Sequence, residues 1–292
     1  MTSVPDIAAA AREMAAGCEE PVAVISDVHL QRGTDWRGRF EALRPIWLGA
    51  RTAVFNGDTV DWGLARRPRR LARVMEFLPE VCRRDGVRPV FLAGNADPGI
   101  SPARHVVLGG GKVLVTHGDV LFPAISLWRP HSGWIRRYRE DALARLPEAQ
   151  RQTLEGQLLA TAQTVVAIHA EHARKIRSRW QRRLKRIKLL AQRAAGAAAV
   201  LTAWRRTPSM AAAFMRRYAP DQPFLIIGHT HHPGIWTRRE RTVINTGGFA
   251  RLGHPWMVWI ERGRLVVRRI RLEGRGCSPG KVVRELSLED AR

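Results

Sequence analysis

Several short apolar runs in this chain end in Asp, Asn or His, and those endings carry the side chains that could do chemistry. The first run, Val22 to Ile25, delivers Ser26-Asp27-Val28-His29. Its β-branched residues mark a buried strand, so Asp27 and His29 leave the C-terminal end of that strand together. A carboxylate oxygen beside an imidazole nitrogen suits Mn, Fe, Zn or a similar divalent ion. Taken alone the pair says little, because an Asp that ends a strand is as often a helix cap or turn residue. Recurrence says more. Ala53-Val54-Phe55 leads into Asn56-Gly57-Asp58 with Asp61 close behind, and Val90-Phe91-Leu92 into Gly94-Asn95-Ala96-Asp97. Val113-Leu114-Val115 leads into Thr116-His117-Gly118-Asp119, and Phe224 to Ile227 into Gly228-His229-Thr230-His231.

The elements that must position these residues follow from periodicity. From 22 to 116 strands alternate with helical segments near 39–48 and 70–84, which predicts βαβ units and a largely parallel inner sheet. Ligands of such sheets collect beyond the carboxyl ends of the strands, where the Asp, Asn and His residues fall. Residues 1–20 are expected to form a helical extension capped by Asp6, with the core running over 21–120 and 223–273. The interval 121–222 is expected to be a helical insertion: one helix near 132–146, a long one from 148 to about 177, another to about 205 and a shorter one ending near 217. Within it, Ile176, Trp180, Leu184, Ile187 and Ala191 form an apolar stripe among Arg and Lys. That basic amphipathic stretch is either a helix packed on a neighbour with a solvated face, or a cap offering cations to phosphates and an apolar stripe to lipid. Strands at 242–244, 256–260 and 265–270 close the core, the last two as a hairpin through Glu261-Arg262-Gly263-Arg264. Residues 274–292 read as a polar tail with a short helix.

A formal net charge of +23 calls for an anionic partner: a phosphorylated substrate, an anionic membrane surface or nucleic acid. Cys18, Cys82 and Cys277 follow no pairing pattern, which suits reduced thiols in a cytoplasmic protein, and no signal peptide or membrane-spanning run is expected.

Taken in order, Asp27-x-His29, Gly57-Asp58-x-x-Asp61, Gly94-Asn95-x-Asp97, His117-Gly118-Asp119 and Gly228-His229-x-His231 resemble the motifs of the calcineurin-like metallophosphoesterase family. The resemblance implies an α/β fold, a four-layer α/β/β/α sandwich, here carrying a large basic helical insertion. It implies one metal held by Asp27, His29, Asp58 and His231, and a second held by Asp58, Asn95, His117 and His229. Asp58 would bridge the two and hold the nucleophilic hydroxide, with Asn95 and His117 also catalytic. Two divalent ions, Mn first and Fe, Zn or Mg as alternatives, would activate that water and polarise the phosphoryl group.

One departure bears on the substrate. Many members carry a protonating His where this chain has Ala96. Such a general acid is worth about 10²–10⁴-fold for a basic leaving group and little for a phosphate, so Ala96 favours a phosphoanhydride or an activated phosphodiester. Asp97, without that partner, is expected to have no catalytic role. The chain is most similar to the UDP-2,3-diacylglucosamine pyrophosphohydrolase branch, whose members lack the same His, sit peripherally on the inner membrane face and insert a helical cap in the same interval. On that resemblance the substrate is a nucleotide-linked lipid, with Arg174, Arg177 and Lys185 on the cap as substrate-binding cations. A nucleic-acid or generic phosphodiesterase is the runner-up. A non-catalytic interaction scaffold on the same fold is the third alternative, and it would need missing ligands, whereas this chain keeps all of them.

Overall fold

The computed structural model describes residues 6–31, 35–65, 67–125, 133–175, 181–249, 253–274 and 276–289, and within 173–197 only the course of the backbone. Two sheets face each other. The first has the order β11-β10-β9-β1-β2-β3, built from β1 (Val22–Ile25), β2 (Thr52–Asn56), β3 (Arg88–Leu92), β9 (Trp256–Glu261), β10 (Arg264–Glu273) and β11 (Gly276–Ser287). The second has the order β4-β5-β6-β8-β7, built from β4 (His105–Leu108), β5 (Val113–Thr116), β6 (Phe224–Ile227), β7 (Gly234–Arg238) and β8 (Arg241–Asn245). Each sheet has a parallel centre, β1-β2-β3 in one and β5-β6-β8 in the other, and antiparallel flanks. The inner sheet is therefore less parallel than the alternation of strand and helix suggested.

Every residue of β1 is buried because the strand is covered on both faces. Val22 and Val24 meet Val106, Val113, Val115 and Ile226 between the sheets. Ala23 and Ile25 point the other way, with Phe55 and Phe91, against Phe40, Trp47, Val74 and Leu78. Those last residues belong to α2 (Trp36–Glu41), α4 (Pro68–Arg84) and the short turn between α2 and β2. The outer face of the second sheet, Leu114, Leu225, Ile227 and Val243, is covered by Leu158 of α7 (Leu154–Lys175) and by Val200, Phe214 and Met215 of α8 (Gln181–Tyr218). Helix, sheet, sheet, helix is the resulting order, the four-layer sandwich expected.

The insertion, expected as a helical cap, packs on the second sheet. Its two long helices are the fourth layer itself, sharing one apolar cluster with the strands that carry His117 and His229. Its remaining helices are α5 (Gly133–Ala144) and the one-turn α6 (Glu148–Arg151). The long helix expected from 148 breaks at Thr153, whose hydroxyl accepts from the Gly156 N–H at 3.0 Å and starts α7 afresh. The two helices expected up to 217 are one, since α8 runs continuously through Pro208. At the N-terminus α1 (Ile7–Ala16) is capped by Asp6 as expected.

The polar tail with a short helix expected over 274–292 is instead β11, a long edge strand paired with β10. Cys277, Val283, Leu286 and Leu288 anchor it, and their spacing is hidden by the charged and glycine residues between them. Strands β4 and β7, both edge strands, were not anticipated either.

Candidate metal centre

The turns that follow β1, β2, β3, β5 and β6 converge beyond the C-terminal ends of the two parallel centres. Asp27, Asp58, His117 and His229 are buried there, while His29, Asn95 and His231 are partly accessible. Local backbone geometry shows how tightly the turns are bent. Of the non-glycine residues at positive φ, Asp27, His29, Asp58, His229 and His231 all belong to this site. Left-handed backbone at a non-glycine residue costs about 1–3 kcal/mol and persists only where the surroundings enforce it. Two glycines allow the approach: a Cβ on Gly94 would stand 2.2 Å from Asp58 Oδ1, and one on Gly228 would stand 2.1 Å from Asp27 Oδ2.

The seven side chains form two linked groups. In the first, His231 Nε2 lies 3.1 Å from His29 Nε2 and 3.2 Å from Asp27 Oδ1. In the second, His117 Nε2 faces Asn95 Oδ1 at 3.2 Å, His229 Nδ1 at 3.3 Å and Asp58 Oδ1 at 3.4 Å. The other oxygen of Asp58 lies 3.8 Å from His29 Nε2, so that carboxylate spans the two groups. Asp27, His29 and His231 bring ligand atoms within 4.8 Å of one another, as do Asp27, Asp58 and His117.

This donor set fits divalent cations. Asp27 Oδ1 and His229 Nε2 are buried without a hydrogen-bond partner, an arrangement that native proteins rarely leave unexplained. His117 Nδ1 faces the Asn56 carbonyl at 3.1 Å, which fixes the proton there and leaves Nε2 with a lone pair for a cation. Two pairs of ring nitrogens confronting each other at hydrogen-bond distance need either a shared proton or a shared cation.

The titration behaviour of the protein groups is consistent. Burial and the neighbouring His117 push His229 down to about 4, keeping it a neutral donor. Burial works to lower His29, but the Asp61 carboxylate 3.8 Å away and the charges of Asp58 and Asp27 outweigh it and hold that imidazole up at about 9. Burial likewise opposes the charge on Asp27, yet His231, 3.2 Å away, and the other imidazoles around it hold its carboxyl well below the usual range.

Asp97, expected to have no catalytic role, holds the turns in place. Its carboxylate accepts from the main-chain N–H groups of Asp58 at 3.0 Å, Gly94 at 2.9 Å and Val60 at 3.1 Å, tying the second and third turns together. Ser26 and the His229 N–H bond to Asp27 Oδ2, and Asn245 Nδ2 donates to Gly228 O and Thr230 Oγ1 at 2.9 Å each. Asp119 of the His117-Gly118-Asp119 turn pairs with buried Arg104 rather than with the site. Sequence reasoning also missed His169 of α7, whose Nε2 donates to the Asn95 carbonyl at 2.8 Å, and Trp204 of α8, whose Nε1 donates to the Thr230 carbonyl at 2.9 Å. The only signal for His169 was a histidine pair, His169 and His172, near the end of a helix and just after the apolar run Val165 to Ile168. Of the cations expected to touch substrate, Arg177 lies outside the described residues, and Arg174 and Lys185 are placed only as backbone positions on α7 and α8.

Residues 20–233 match the family model described as calcineurin-like phosphoesterase. The chain belongs to the calcineurin-like phosphoesterase family. The matched span runs from the strand before Asp27 to just beyond His231, so it includes every candidate ligand. Membership supports a hydrolase. No curated protein matches the sequence. Among solved structures it is similar to a dimetal phosphatase from Danio rerio, with 13% identity, 92% of this chain and 99% of that one covered, and a TM-score of 0.46. It is similar also to a cold-active protein-tyrosine phosphatase of a psychrophile Shewanella, with 14% identity, coverage of 91% and 81%, and a TM-score of 0.43. A third is Vacuolar Protein Sorting 29 from Cryptosporidium parvum, with 12% identity, coverage of 92% and 100%, and a TM-score of 0.39. Among the described residues no helix is long and apolar enough to cross a membrane.

Proposed function

We propose that this phosphoesterase uses two divalent cations, Mn first among Mn, Fe, Zn and Mg, to hydrolyse a phosphoanhydride or an activated phosphodiester. The observation that carries the reading is the pair of confronted imidazoles, His29 with His231 and His117 with His229, with the Asp58 carboxylate spanning them. Asp27, His29, Asp58 and His231 would hold one cation, and Asp58, Asn95, His117 and His229 the other. When bound, such a pair supplies an acidified water and positive charge for the phosphoryl oxygens.

The chain's own groups set the rest. The Asp58 carboxylate is aimed by the Ala96 N–H, which donates to Oδ1 at 2.7 Å, and by Asp97 from beneath. At Ala96 no imidazole stands ready to protonate a leaving group, which favours a substrate that expels a weak base, as a phosphoanhydride does. This favours a nucleotide-linked pyrophosphate, with UDP-2,3-diacylglucosamine as the specific candidate, turned over by a cytoplasmic protein resting on an anionic membrane surface. Arg174, Arg177 and Lys185 are the cations proposed to meet it. The net charge of +23 supports a second reading, a nucleic-acid phosphodiesterase.

Metal-stripped protein resupplied with Mn, offered UDP-2,3-diacylglucosamine, bis-p-nitrophenyl phosphate or single-stranded DNA, separates these readings. Preferred cleavage of the lipid nucleotide, lost in Asp58→Ala, supports the first. Cleavage of DNA with a steep inverse dependence on salt supports the second and overturns the lipid assignment. Inertness toward all three in a protein that binds no Mn overturns the enzyme reading and leaves an interaction scaffold.

A further inference from the structure

The helical insertion touches both halves of the candidate metal centre by the same means. On one side His169 of α7 lies against Trp62, with ring centroids 3.5 Å apart, and donates from Nε2 to the carbonyl of Asn95 at 2.8 Å. On the other, Trp204 of α8 stacks on His232, with centroids 4.4 Å apart and planes within 14°, and donates from Nε1 to the carbonyl of Thr230 at 2.9 Å. Each donor is a ring braced on a ring of the core, and each acceptor is a main-chain carbonyl in a ligand-bearing turn. Thr230 stands between His229 and His231, both at positive φ, so its peptide is where that bent turn most needs an outside hold. Asn95 stands in the same position with respect to the third turn. Its neighbours Gly94 and Ala96 are held from the core by Asp97 and Asp58, and its own carbonyl is held by His169.

We propose that the insertion completes the metal centre, with His169 and Trp204 as positioning residues that fix the Asn95 turn and the His229–His231 turn from opposite sides. The inference rests on the binuclear reading above. It gives α7 and α8 a task beyond covering the second sheet: without their two N–H donors, Asn95 and the two histidines lose the rigid placement that a tight cation site needs. Groups that orient ligands in this way are worth about 10–100-fold in metal affinity or activity.

The test is Mn binding to metal-stripped full-length protein, followed by electron paramagnetic resonance, which distinguishes a spin-coupled Mn pair from isolated Mn. Wild type is measured first; if it shows no pair, the binuclear reading itself fails and the variants are not its test. Given a pair, His169→Ala is expected to bind one equivalent as before and the second about 10–100-fold more weakly, with the coupled signal reduced. His169→Gln, which can carry an amide N–H to the same carbonyl, is expected to restore it. Trp204→Phe keeps a ring for His232 but removes the N–H, and is expected to weaken the pair by a similar factor. His172→Ala, which loses an edge contact with Trp62 and a hydrogen bond to the Ile168 carbonyl of its own helix but touches no ligand turn, is expected to leave the pair intact. Unchanged pair formation in both His169→Ala and Trp204→Phe overturns the proposal. So does a loss that Gln fails to restore while the melting temperature falls in step, because that pattern belongs to packing alone.

Discussion

At the scale of single residues, the site is built from groups for which a cation must compete with protons. A cation can bind His29 only when the imidazole is neutral, and Asp61, Asp58 and Asp27 hold that imidazole at about 9 against the lowering effect of burial. Below that value each binding event must release a proton, so Mn affinity should climb from pH 6 to about pH 9 and level off above it. Calorimetric titrations across that range, in buffers of different ionisation enthalpy, would show the climb and the released proton; a flat profile would contradict it. Asp97 makes a second residue-scale prediction. Asp97→Ala leaves the N–H groups of Asp58, Gly94 and Val60 buried without their acceptor and should cost about 2–5 kcal/mol in denaturant unfolding, by the usual penalty for orphaned buried donors. Asp97 was legible as part of a motif but not as a structural acceptor, because a carboxylate's partners here are main-chain N–H groups that no side-chain pattern announces. The candidate ligands were legible for the opposite reason: each is a distinctive side chain at the end of an apolar run.

At the scale of elements, the turns after β2 and β3 meet with no room to spare. Gly94→Ala would drive a Cβ to within 2.2 Å of Asp58 Oδ1, and the backbone atoms there cannot move without displacing Asn95. Mn stoichiometry should fall below the wild-type value and activity by at least about 10–100-fold, since misplaced ligands lose affinity on that order. Normal Mn loading in this variant would mean that the turns are more pliant than their hydrogen bonds indicate. Strands β1, β2, β3, β5 and β6 could be read from sequence because each is apolar on both faces. Strands β7 and β11 escaped because each is an edge strand only partly buried, and the buried Cys277 of β11 and Leu288 just beyond it are separated by glycine, proline and charge; β4, though buried, is a four-residue run opening on a histidine. The break before α7 and the continuity of α8 through Pro208 also ran against local signals. The Thr153 cap sets the first, and packing on the second sheet holds the second together.

At the scale of the whole molecule, the insertion is inseparable from the sandwich. Met215 and Phe214 of α8 share a cluster with Leu225 and Ile227 of β6, the strand that ends at His229. Met215→Ala should therefore destabilise the entire protein by about 2–5 kcal/mol in a single unfolding transition, as large-to-small core changes do. A biphasic melt, with the core retaining its stability, would show the insertion to be a separate unit. The same interdependence gives the histidines a rigid floor and places His169 and Trp204 over the ligand turns.

The claim on which the account turns is that Asp58 stands between two cations. Metal-stripped protein titrated with Mn, with bound metal and hydrolysis of bis-p-nitrophenyl phosphate followed together, tests it most directly. The account predicts two equivalents bound, hydrolysis that rises with the second, and loss of both the second equivalent and the activity in Asp58→Ala. Hydrolysis already complete at one equivalent, or an Asp58→Ala protein that still binds and uses two, would contradict it.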